Sequence, residues 1–128
     1  MNRVMTLVVL FAASVAAPTS STAEPLSGDA VKKLVGGKRV YLSTPYGVEL
    51  PLQYRANGSV RGDVSGISIA SMFTPRETGK WWIAGNQLCQ QWPTWYDGRK
   101  FCFTIEPRGE NAISWQRDDG MTGTARIE

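Results

Sequence analysis

The residues of this chain with chemistry to offer are its carboxylates, cysteines and tryptophans, because it contains no histidine. The commonest proton shuttle, nucleophile activator and metal ligand is therefore missing. Paired acids can still hydrolyse a glycosidic bond, and Glu106, Asp118 and Asp119 are the candidates. Asp118 and Asp119 are adjacent and run into Gly120, while Glu106 and Glu110 flank Pro107 to Gly109, so both groups have the composition of turns. Gly-x-Ser-x-Gly, a phosphate-cradling glycine loop and calcium-loop spacing do not occur. Two cysteines are too few for a four-thiolate zinc site. The expectation is a chain with no catalytic residues, no metal and no cofactor, with a carboxylate-dependent glycan hydrolase as the enzymatic alternative.

The densest chemical feature is aromatic. Trp81, Trp82, Trp92, Trp95, Tyr96, Phe101 and Phe103 fall within 23 residues. Tryptophan and tyrosine offer a rigid face with a polar handle, suited to stacking on a ligand or anchoring a partner. Trp81, Trp82 and Trp115 read as packing residues of a small domain. Trp95 and Tyr96 fall in a loop between Pro93 and Asp97-Gly98, so Trp92, Trp95 and Tyr96 are the expected contact residues for a ligand or partner.

Cys89 and Cys102 acquire meaning from the start of the chain. Met1 to Ala23 runs from a basic residue, Arg3, through the apolar stretch Val4 to Ala17 to small residues ending Ser21-Thr22-Ala23, the pattern of a cleaved export signal. The apolar stretch is shorter than the roughly 20 residues that span a bilayer. Cleavage after Ala23 leaves 24–128, which is 105 residues and enough for one small domain. The expected location is periplasmic or secreted, with no transmembrane segment after cleavage. In that oxidising setting two cysteines pair with each other. A closed loop of about 14 residues stabilises by roughly 3 kcal/mol.

The mature chain carries thirteen basic and eleven acidic residues, scattered rather than clustered. Nucleic-acid binding needs clustered Lys and Arg, so none is expected. The string Arg61-Gly62-Asp63 lies in an expected strand, and Asn57-Gly58-Ser59 reads as a turn.

These residues need elements to position them. A helix is expected between Glu24 and Gly37, capped by Ser27 or Asp29, with Ala30, Val31, Leu34 and Val35 at helical spacing and Gly36-Gly37 as its stop. From Lys38 the period changes to alternation: Val40 and Leu42, then Val48, Leu50, Leu52 and Tyr54. Pro51 marks the second strand as an edge or as interrupted. Turn signals at Asn57-Gly58, Gly85-Asn86, Asp97-Gly98, Gly109 and Gly120 then delimit strands at Ser59 to Val64, Gly79 to Ala84, Gln87 to Trp92, Lys100 to Glu106, Ala112 to Arg117 and Thr122 to Ile127. Gly66 to Phe73 is readable as a strand or as a crossing segment. The expected fold is mainly β, an antiparallel meander of seven or eight short strands forming a small barrel or half-barrel with one short N-terminal helix. Cys89 and Cys102 then pin a hairpin, and Leu88, Phe101, Phe103 and Ile105 form the core set.

The helix ending before Gly37-Lys38, the Asn57-Gly58-Ser59-Val60-x-Gly62 segment, Gly79-Lys80-Trp81 and Leu88-Cys89-x-x-Trp92 followed by Cys102 resemble a group of small exported proteobacterial domains common in rhizobia and relatives. The resemblance spans Ser27 to Ile127 and implies a fold rather than an activity. Gly79-Lys80-Trp81 is also similar to the Gly-x-Trp of lipocalins, which lies on their first strand and here lies mid-chain. The expected function is a non-catalytic binding domain that engages an envelope ligand or protein partner through the disulfide-pinned aromatic hairpin. The alternatives are a barrel holding an apolar ligand and an inhibitor of an envelope glycan hydrolase.

Overall fold

The computed structural model describes residues 9–14, 24–44, 47–66 and 74–128. Most of the expected leader and most of the segment Gly66 to Phe73 lie outside the described residues. One helix, α1 (Gly28–Val35), is followed by eight strands: β1 (Arg39–Ser43), β2 (Glu49–Tyr54), β3 (Ser59–Asp63), β4 (Arg76–Ala84), β5 (Gln87–Gln91), β6 (Lys100–Pro107), β7 (Ala112–Arg117) and β8 (Thr122–Ile127). Each strand pairs antiparallel with the next, and β8 pairs with β1, so the sheet closes into a barrel. Closure removes the exposed edges that a sheet this small otherwise has to protect. Among the described residues, no helix is long and apolar enough to cross a membrane.

Local chemistry sets each boundary. Ser27 caps α1 by accepting from the Ala30 N–H at 3.3 Å, and the Gly36 N–H bonds back to the Lys32 carbonyl before Gly37 turns left-handed at φ 74°. A helix of eight residues is marginal in isolation. It is held here by burying Gly28, Val31 and Val35 against the barrel. Gly28 packs so closely on the Gly85 carbonyl that a Cβ there would sit 2.3 Å from it.

Pro51 lies inside β2 of a closed barrel, so β2 is not an edge strand; the interruption is local instead. The Tyr54 N–H faces β1, bonding the Lys38 carbonyl. By alternation the Pro51 nitrogen faces β3, and the β2–β3 ladder stops one residue short of it at Leu52–Gly62.

Alternation sends one row of side chains inward from every strand. Val40, Leu52, Tyr54, Val60, Trp81, Leu88, Ile105, Ile113, Ala125 and Ile127 form the core, with Val31 and Val35 of α1 closing one end. Trp82, beside the buried Trp81, points outward and stands across from Cys89 on β5.

Candidate functional site

Three of the tryptophans that fill the interior each have a glycine where a side chain would collide with them. A Cβ on Gly62 would lie 2.3 Å from the Trp95 ring, one on Gly79 would lie 3.0 Å from the Trp92 ring, and one on Gly123 would lie 2.3 Å from the Trp115 ring. The three glycines sit on β3, β4 and β8, with their missing side chains directed inward. Large and small residues thus alternate around the barrel, as close packing of a narrow interior requires.

This placement changes the expected site. Trp92 and Trp95 are 2% and 5% exposed, with ring centroids 4.6 Å apart. They are core residues, unavailable as surface anchors. The hairpin loop folds back and plugs the barrel, held there by Glu77 and by the space that Gly62 leaves for Trp95. Of the expected contact residues only Tyr96 reaches the surface, at 43% exposure.

Glu77 is what fastens the plug. It lies inside the barrel at 8% exposure, and its carboxylate accepts hydrogen bonds from the Thr94 N–H at 2.7 Å, the Trp95 N–H at 2.9 Å and the Thr94 hydroxyl. Burial pushes its carboxyl up, but the bonds from Thr94 and Trp95 outweigh burial and hold it below its ordinary value. The Trp95 indole N–H completes the anchor by donating to the Thr74 carbonyl at 2.7 Å. Glu77 is absent from the sequence-based candidates. Its signal is the alternation Glu77, Gly79, Trp81, Ile83, which extends the strand to Arg76 and places the acid in phase with the inward residues.

The chain then makes a tight turn in which Tyr96 and Asp97 are both left-handed, at φ 56° and 57°, followed by Gly98 at 69°. The turn sets the Tyr96 ring edge-on against Phe101, with centroids 5.5 Å apart. The Arg117 guanidinium lies 4.1 Å from the centre of the Phe101 ring and Arg99 lies 5.1 Å from it. Arg117 is held from its other side by Asp119, at 2.6 Å. That bond lowers the Asp119 carboxyl to about 2. The result is a rim of one exposed aromatic ring and the exposed Arg99 on a preset backbone, with the Arg117 side chain tucked beneath at 11% exposure and paired with Asp119.

Cys89 and Cys102 are bonded, as their even count behind an export leader suggests, and face each other directly across β5 and β6. The bridge lies on the outer wall, where Cys89 is fully covered. It ties the two strands that carry the plug.

The candidate carboxylates do not converge. Asp118 accepts from the Cys102 N–H at 3.2 Å and Asp119 is committed to Arg117. Glu106 lies four residues beyond Cys102 along β6, about 13 Å at 3.3 Å per residue, beyond the roughly 5–9.5 Å that separates the acids of a glycosidase.

The barrel interior keeps a cavity of about 30 Å³ between Val40, Leu42, Tyr54, Gln90, Ile105 and Trp115. Ligand sites run to about 300–1,000 Å³, so this space is water-sized. The Tyr54 hydroxyl beside it donates to Gln90 at 2.6 Å, and burial pushes its ionisation far above the ordinary range. Arg61-Gly62-Asp63 is a β3 segment whose glycine serves Trp95, and Asn57 closes its turn by accepting from the Ser59 N–H at 3.0 Å.

No family model matches the chain, and neither the curated proteins nor the solved structures include a match.

Proposed function

We propose that the chain is an exported, non-catalytic binding domain that engages an envelope ligand or protein partner through the rim around Tyr96. The observation that carries this reading is the rim's backbone. Two successive non-glycine residues in the left-handed region cost of order 1–3 kcal/mol each, and they persist because Glu77 and the Cys89–Cys102 bridge fix both sides of the turn. What that strain achieves is an exposed Tyr96 ring on a preordered support. Such preordering lowers the entropic cost of capturing a partner, and an aromatic ring beside an exposed arginine, here Arg99, is the composition of binding hot spots. Export is supported by the leader pattern in 1–23 and by a paired cysteine bridge.

An apolar-ligand barrel has less support, since the interior cavity is water-sized. A carboxylate hydrolase lacks a converging acid pair. An inhibitor of a glycan hydrolase is one form of the same proposal, with the hydrolase as partner.

The test separates site from core. Purified Tyr96→Ala is expected to melt within a few degrees of the parent while its retention on a washed envelope fraction of the native host falls at least about tenfold, the scale of a hot-spot truncation. Unchanged retention would sink the proposal.

A further inference from the structure

We infer that the outer wall of β6, β7 and β8 is a second binding site, built for an uncharged polyhydroxylated ligand such as a segment of neutral glycan. A groove of about 290 Å³ runs across these strands. The register aligns its side chains in two rows, Thr104, Gln116 and Thr122 in one and Glu106, Ser114 and Thr124 in the other, with Arg108 at the end beside Glu106.

The polar side chains of this wall are mostly free of one another, unlike the outer pairs Arg39 with Gln53, Arg126 with Glu49 and Arg76 with Asp63. In the groove only Thr104 has such a tie, accepting from Gln87 at 3.3 Å. The donors and acceptors of the other side chains face outward from a concave surface.

The chemistry of the lining selects the ligand class. One carboxylate and one guanidinium cancel, so the groove has no field to hold a charged polymer. Trp115, the one large apolar residue of the lining, packs inward on Phe103, so the groove lacks the dehydrated centre that protein interfaces have. Hydroxyls, an amide, a carboxylate and a guanidinium can each pair with sugar hydroxyls, which donate and accept equally well. Neighbouring strands set the members of a row about 4.8 Å apart, and two residues along each strand set the rows about 6.6 Å apart, on the scale of a sugar ring. Three of the lining residues are threonines, stiff at χ1, so their hydroxyls lose little freedom on binding. The groove lies at the lower end of ligand-site volumes, which suits one or two sugar units of a longer chain.

The experiment is titration of the full chain, followed by backbone amide NMR shifts, with a panel of neutral oligosaccharides: glucan, mannan, galactan and N-acetylglucosamine oligomers. At least one is expected to shift amides of β6–β8, with an affinity that is insensitive to added salt and falls roughly tenfold in Thr124→Val and in Glu106→Gln, each losing one or two hydrogen bonds. Both substitutions lie on the outer wall, and unchanged spectra elsewhere verify their folds. Tyr96→Ala is expected to leave this binding intact, which separates the groove from the rim. No shift with any member of the panel, or shifts that survive both substitutions, would overturn the inference.

Discussion

Gly62→Ala should be among the most damaging small substitutions in this protein, and its cost should depend on a residue 33 positions away. A Cβ at position 62 would lie 2.3 and 2.5 Å from two carbons of the Trp95 ring, against an ordinary contact of roughly 3.5–4.0 Å. The ring cannot yield easily. It is stacked on Trp92 and its indole nitrogen is bonded to the Thr74 carbonyl. Overpacking a rigid core costs about 1–3 kcal/mol, and with both partners fixed the upper end is expected. At roughly 4–8 °C per kcal/mol for a domain of this size, the melting temperature should drop on the order of 12–24 °C. The direction is informative, because alanine in a strand is otherwise better than glycine by roughly 0.5–1 kcal/mol. Circular dichroism melts of Gly62→Ala, Trp95→Leu and the double variant form a cycle. Trp95→Leu alone removes packing and should cost about 3 kcal/mol. In its background Gly62→Ala should become nearly neutral, giving a coupling of about 2 kcal/mol or more. If Gly62→Ala costs the same in both backgrounds, or nothing in either, the pairing of glycines with tryptophans is not what fills the barrel.

Glu77→Gln should lower stability at neutral pH by about 1–3 kcal/mol, since it weakens three buried bonds to the plug. The parent should also lose stability in acid. The folded-state value of Glu77 lies below its ordinary value of 4.5, so its contribution is fully present above that pH and disappears as pH falls through the folded value. Urea midpoints from pH 7 to pH 3 should show a shallower acid decline in the variant, and parallel curves would contradict the role given to Glu77. Reducing the bridge, or replacing both cysteines with serine, should lower stability by about 3 kcal/mol without abolishing the fold, because β5 and β6 each keep a second strand neighbour. Differential scanning calorimetry with and without reductant checks this, and a complete loss of cooperative melting would show the bridge to be essential.

Much of the fold was legible because turn chemistry and alternation agree. Gly58, Gly85, Gly98, Gly109 and Gly120 all adopt positive φ where the turn signals stand. β7 and β8 begin and end where the alternation places them. β4 starts three residues earlier than expected, at Arg76, because Glu77 is a charged residue at an inward position and so breaks the apolar pattern. The candidate site was only partly legible. Trp95 has loop composition around it, and sequence does not tell a loop that extends outward from one that folds into the barrel. That choice is made by Gly62 and Glu77, which are distant in the chain and carry no local sign of pairing with it. Arg117 is hidden for the same reason: its contact with Phe101 exists only once β6 and β7 are in register.

The most direct test of the binding rim is site-specific photocrosslinking in the native host, with p-benzoylphenylalanine replacing Tyr96 and, as a control, replacing Arg61 on the exposed outer wall of β3. A discrete adduct is expected from position 96 and none from position 61. No adduct at 96, or the same adducts from both positions, would contradict a partner held at the Tyr96 rim.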